Sequence, residues 1–169
     1  MQETPQQYRE RILGNVKGED PQKVQRASAT RLAKLIRGVS PKRLSRNPAP
    51  GKWSVNEILA HLADSEVVVG WRMRAIVGAP GTAIQAYDQD AWAAAGNYAA
   101  RDARKSLAHF RAARAANLEW LGHLRPEQWK HYGMHSERGQ ETIEHIVRLI
   151  AGHDLNHIRQ VEAALAAKK

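Results

Sequence analysis

The chain of 169 residues contains no cysteine. That excludes disulfides, thiolate metal ligands and a cysteine nucleophile, so any sulfur chemistry here must use a thiol brought from outside. Runs of β-branched or aromatic residues are scarce, while alanine, leucine and arginine are abundant, which favours helix over sheet. No apolar stretch of about 18 residues occurs, and the opening Met1-Gln-Glu-Thr-Pro-Gln-Gln-Tyr8 has no signal-peptide core. The expectation is a cytoplasmic protein without a membrane partner. Also missing are a Walker motif, a nucleophile elbow, a dinucleotide fingerprint, helix-turn-helix spacing, an RNP-like run and a zinc finger. Nucleotide chemistry and a nucleic-acid partner are therefore not expected. The formal net charge is +9, but the basic residues are spread, from Lys42 and Arg43 through Arg72, Arg101 and Arg114 to Lys168 and Lys169. They read as a solvated helical surface, because net charge bears on solubility and weak binding more than on a specific partner.

The length suits one domain over residues 1–169 with a sizeable core. Thr4-Pro5-Gln6-Gln7 is a capped start for a short helix broken by Gly14 and Gly18. Asp20-Pro21 opens a second helical run, with Val24, Ala27, Leu32, Leu35 and Ile36 at helical spacing until Gly38. Residues 39–52 hold three prolines and form a connector. Ser54-Val-Asn-Glu57 is a capping box with Trp53 and Ile58 as a hydrophobic staple, and the helix it opens ends before Gly78 and Pro80. Residues 78–100 carry Tyr87, Trp92 and Tyr98 in a long connection of the kind that forms lids and pocket walls. A third long helix spans about Asp102 to Leu124, and a fourth starts near Thr142 and ends in Lys168 and Lys169, which suit its dipole. With no strand pattern, the expected fold is all-α: a four-helix bundle with a short extra N-terminal helix.

His153 and His157 carry the most chemistry. Four residues apart on a helix, they sit one turn above each other, in the middle of the stripe formed by Ile146, Leu149, Ile150, Val161 and Ala164. Two buried neutral imidazoles without partners would cost roughly 1–3 kcal/mol each. Either they are satisfied core histidines or they share a metal, and a metal needs further ligands. His109, His123 and His131 have charged or polar surroundings and read as exposed. His145 is rotated about 80° from His153, towards the bundle edge, and His135, in a loop, could line a pocket. His61 combines a long helix, a position bordering the core and an early turn, and bundle cores commonly assemble such sites from facing helices.

These residues carry a resemblance. The run Pro50-Gly-Lys-Trp-Ser-Val-Asn-Glu-Ile-Leu-Ala-His-Leu-Ala-Asp-Ser-Glu66, followed by Gly152-His-Asp-Leu-Asn-His-Ile-Arg-Gln160, resembles the DinB/YfiT-like superfamily. The resemblance also takes in Asp88-Gln-Asp-Ala-Trp92 and His135-Ser-Glu-Arg-Gly139, so it spans roughly residues 20–165. It implies a four-helix bundle holding a divalent metal on His61, His153 and His157, and a homodimer. It further implies a metal-dependent enzyme that uses a low-molecular-weight thiol as cosubstrate, in transfer or isomerisation, and it implies no DNA binding.

The chemistry is consistent with that expectation. Three neutral nitrogens leave positions for water or substrate, as a catalytic site requires, and a bound cation favours the thiolate of an incoming thiol. Zinc, nickel, iron and copper suit three imidazoles comparably. Expected partners are thus a small-molecule thiol and an electrophile. Glu57, Asp64 and Gln160 are candidates to orient the ligand rings, with capping the stronger role for Glu57. Trp92, Tyr87, His135 and Arg72 are candidates to line the pocket, Arg72 by receiving a cosubstrate carboxylate or simply as a surface arginine. For Trp53 and Trp71 core packing is expected. The alternatives are a metal-dependent hydrolase and a non-catalytic metal-binding module. His153-Asp154-x-x-His157 differs from the zincin His-Glu-x-x-His by one methylene, but Asp154 reaches less far, and only twelve residues follow His157.

Overall fold

Seven residues with a short side-chain oxygen each open a helix. In the computed structural model, which describes residues 3–167, Thr4 caps α1 (Pro5–Gly14), Asp20 caps α2 (Pro21–Leu35) and Ser40 caps the single turn α3 (Pro41–Leu44). Ser54 caps α4 (Val55–Gly78), Asp88 caps α5 (Gln89–Ala95), Asp102 caps α6 (Ala103–Gly122) and Thr142 caps α7 (Ile143–Ala166). Each oxygen accepts from an amide that the first helical turn leaves free. At Ser54 the box is reciprocal, since Glu57 Oε2 accepts from the Ser54 amide at 2.7 Å. Lys168 and Lys169, expected at the dipole of the last helix, lie outside the described residues.

The long helices α2, α4, α6 and α7 form the bundle. α4 lies against α6 and α7, α2 lies against the same two, and α2 and α4 therefore take opposite corners. Ile58, Leu59 and Leu62 of α4 pack with Phe110 of α6 and with Ile158 and Val161 of α7. Further along α4, Val69, Met73 and Ile76 pack with Leu121 and with Ile143, Ile146 and Val147. Advancing along α4 means going back along α7, so the two helices run antiparallel.

The core between these clusters is polar. Arg114 donates to both oxygens of Asp154, at 2.5 and 3.0 Å, and to Glu66 at 2.8 Å, while Asn117 donates to Glu66 at 2.9 Å. All four side chains are buried. Arg114 is thus not the surface residue its charge suggests. Burial works against its charge, yet the Asp154 and Glu66 carboxylates raise its pKa further.

Short strands, which no alternation in the sequence announces, form a small sheet. β1 (Ala83–Ile84) pairs parallel with β2 (Tyr132–His135), which pairs antiparallel with β3 (Gly139–Thr142). The three-residue hairpin 136–138 closes at Gly139, whose φ of 76° suits glycine. Segments of two to four residues are too short to display a period of two, and β1 finds its partner some fifty positions away. The sheet fixes the start of the 78–100 segment, whose remainder is α5 and a turn of 3₁₀ helix over Tyr98–Ala100. Trp53 is partly buried against the core, but Trp71, expected there, is 71% exposed. No helix among the described residues is long and apolar enough to cross a membrane.

Candidate metal centre

Two helix faces, set by local periodicity, meet where α4 and α7 cross. His61 stands in the second turn of α4, and His153 and His157 occupy successive turns of α7. His153 Nε2 lies 3.1 Å from His61 Nε2 and 3.1 Å from His157 Nε2, and all three side chains are buried. Nitrogens each about 2.0–2.1 Å from one ion sit ~3 Å apart, so the spacing fits a shared cation. The protonation pattern fits as well. His157 Nδ1 donates to Gln160 Oε1 at 2.8 Å, which leaves Nε2 with its lone pair facing the cluster. A single proton on His153 Nε2 could satisfy only one of its two neighbours, so lone pairs converge that a cation would satisfy. Among the described residues, no carboxylate joins this group.

Electrostatics keep the rings neutral and able to ligate. Burial pulls His61 down to about 3, helped by the neighbouring His157. Burial likewise pulls His157 down to about 4, against the opposing effect of its Gln160 bond, and holds His153 well below its ordinary value. The Trp53 ring packs against His61, with centroids 5.1 Å apart.

The remaining candidates divide by what they touch. Gln160 binds a ring of the cluster, as above. Glu57 does not: its carboxylate is used by Ser54 and by Asn47 Nδ2 at 2.9 Å. Asp64 does not either, since it accepts from Tyr98 Oη at 2.6 Å and from Arg101 at 3.2 Å, tying the 98–100 turn to α4. Asp154, the acid in the zincin-like spacing, faces Arg114 and not the cluster.

Two cavities reach the histidines from different sides. One, of about 310 Å³, is lined by His61 and His153 together with Tyr8, Arg72, Tyr87 and His135. The other, of about 520 Å³, is lined by His157 and Gln160 with Trp53, Ile58, Ala163 and Ala164, and Gln89 borders both. Ala86, Tyr87, Gln89 and Asp90 thus wall the cavities beside the cluster, and Tyr87 Oη lies 3.1 Å from Ser65 Oγ, itself 3.4 Å from His61 Nε2. Trp92 stacks on Tyr87 at 4.6 Å and lines a neighbouring cavity beside Trp71, which shares Arg72, Ala86 and Tyr87 with the smaller one. His135 is at the end of β2, not in a loop. His109 and His123 are exposed, whereas His131 is half-buried, and His145 is half-buried with Nε2 unpartnered among the described residues.

Sequence reasoning missed the wall contributed by α1. Tyr8 and Thr4 line the smaller cavity because α1 packs directly on α7 at Gly152, where a Cβ would fall 2.0 Å from the Ile12 carbonyl oxygen. The glycine beside His153 was the available signal. Ser65, one turn after His61, was another.

Comparison with known proteins agrees with this architecture. YfiT of Bacillus subtilis, described as a probable metal-dependent hydrolase with an unusual four-helix bundle topology, superposes with a TM-score of 0.79. It is 22% identical, with 95% of this chain and 87% of that one covered, so it is the fold that this likeness shows. A protein of Oceanobacillus iheyensis, named as a candidate metal-dependent hydrolase, is 23% identical over 138 residues, 80% of this chain and 78% of that one. The sequence profile of the DinB superfamily matches residues 26–161, through both the His61 and the His153–His157 segments. By that match, the chain belongs to the DinB superfamily.

Proposed function

We propose that the protein is a metal-dependent enzyme whose His61, His153 and His157 hold one divalent cation, and that it activates a small external thiol for transfer to an electrophile. The observation that carries this reading is the convergence of three neutral imidazole nitrogens, without a carboxylate, between two cavities. When bound, the cation would supply the Lewis acidity that holds a thiol as thiolate near neutral pH. The chain's own residues do the rest. Gln160 fixes the tautomer of His157, Trp53 packs on the His61 ring, and Ala86, Tyr87 and Gln89 wall the smaller cavity beside the cluster. Two cavities meeting at one cluster suit a reaction of two substrates. The chain has no cysteine of its own to compete for the cation.

Hydrolysis is the second reading, because the two relatives above are named for it and a cation-bound water is a nucleophile. Against it stands Asp154, which Arg114 holds away from the position of a general base.

The deciding experiment is metal analysis of the purified protein and of His153→Ala, followed by assays with a thiol panel against 1-chloro-2,4-dinitrobenzene and with ester and amide panels. We expect zinc, nickel or iron at one equivalent in the wild type, none in His153→Ala, and thiol transfer only in the loaded protein. Metal-dependent ester or amide cleavage without thiol transfer would replace this reading with the hydrolase. A loaded protein inactive in every panel would leave a binding module.

A further inference from the structure

Of the two arginines lining the smaller cavity, Arg138 is neutralised by Glu141, at 2.7 and 3.1 Å. Arg72 has no carboxylate partner among the described residues. Its guanidinium donates to the Gln85 carbonyl and lies 5.5 Å from the centre of the Tyr87 ring, which leaves most of its donors unused. It is half-buried, so water compensates its charge only in part. His135, 3% exposed, lines the same cavity; its Nδ1 accepts from the Glu137 amide at 3.2 Å, and its Nε2 has no partner among the described residues. Two acids also line the cavity, but Glu3 is held by Arg11 at 2.7 Å and Glu137 is exposed.

From this arrangement we infer that the smaller cavity seats a small substrate bearing a carboxylate, which Arg72 grips while the substrate's other end reaches the histidine cluster. The inference rests on the metal-enzyme reading above and adds the class of cosubstrate. A planar guanidinium with paired free donors matches a carboxylate in charge and shape, and a single cation suits a monoanionic group better than a phosphate dianion. The cavity, about 310 Å³, has room for roughly ten waters' volume, so the molecule is small. It must also be extended. Arg72 follows His61 by eleven residues, about 16 Å along the helix, and the arginine side chain, leaning back towards the N-terminus, closes only part of that distance. A carboxylate two carbons from the reacting group is therefore too short, and one five carbons away can span.

The test is calorimetric titration of the cobalt-loaded protein and of an equally loaded Arg72→Met. The ligands are 6-mercaptohexanoate, 6-mercaptohexan-1-ol and 3-mercaptopropionate, together with the thiol-free pair hexanedioate and hexanoate. The wild type should bind 6-mercaptohexanoate at least about tenfold more tightly than either other thiol, and hexanedioate more tightly than hexanoate. Arg72→Met should erase both preferences without changing cobalt content. If thiols fail to bind but hexanedioate keeps its dependence on Arg72, the carboxylate seat stands and thiol activation falls. If neither preference exists in the wild type, or both survive in Arg72→Met, the seat is wrong whatever the fate of the thiol reading.

Discussion

Gln160 is an exposed side chain with one consequential contact, its amide oxygen 2.8 Å from His157 Nδ1. That contact holds the proton on Nδ1 and aims Nε2 at the cluster, so Gln160→Ala should lower metal affinity by about 10–100-fold. A competition titration with a chelating indicator reads this directly, and unchanged thermal stability of the metal-free protein would separate it from misfolding. Arg114 is the opposite kind of residue, fully enclosed and held by two carboxylates. Replacing it with leucine leaves Asp154 and Glu66 buried without a counterion, and we expect a loss of about 3–5 kcal/mol in urea unfolding. An Arg114→Leu protein as stable as the wild type would show that water reaches this layer. Neither role follows from residue type. Gln160 was readable as a ring partner because it stands three residues after His157, whereas Arg114 meets its partners only across three helices.

Helices α1 and α7 touch through a glycine. Gly152→Ala would place a methyl group 2.0 Å from the Ile12 carbonyl, a backbone atom that cannot swing away. The expected cost is about 1–3 kcal/mol, with α1 displaced, and the sign should be faster proteolysis within residues 5–14 while α7 and its histidines stay intact. At the start of α4, Ser54→Ala should cost about 1 kcal/mol through loss of the cap, measured as a drop in unfolding midpoint. All four long helices were legible at their starts, because caps and prolines act within a few residues, whereas α2 ends at Leu35 and α6 at Gly122, short of the Gly38 and Leu124 expected. The sheet was not legible, and neither was the arrangement of the 78–100 segment, in which Tyr87 lines both the cavity at the cluster and its neighbour while Trp92 lines the neighbour.

The whole molecule holds three imidazoles neutral at a pH where an unfolded chain begins to protonate them. Their pKa values are lowered on folding, to about 3 for His61 and about 4 for His157. The unfolded state, with ordinary values near 6.5, thus binds more protons over the intervening range. Their contribution to stability is complete above pH ~6.5 and is lost as pH falls towards those folded-state values. The metal-free protein should therefore be less stable at pH 5 than at pH 7.5, by on the order of 1–2 kcal/mol for each of His61 and His157. Urea unfolding of His157→Leu should show a shallower dependence than the wild type, and an equal slope in both would refute the assignment. A bound cation competes with the same protons, so the loaded protein should release its metal across this range.

Composition excluded any internal thiol, and the sequence by itself determined the four long helices and the placing of His153 and His157 on one buried face. Those properties depend on neighbours one to four residues apart, where backbone geometry leaves little choice. Tertiary structure alone decided that Asp154 pairs with Arg114, that Asp64 serves Tyr98, that Trp71 faces outward, and that α1 closes one side of the cavity. Helical phase gives a residue's angle about its own axis and says nothing of which element occupies that direction. Here the antiparallel crossing of α4 and α7 supplied the partner, bringing His61 to a pair ninety-two residues later in the chain.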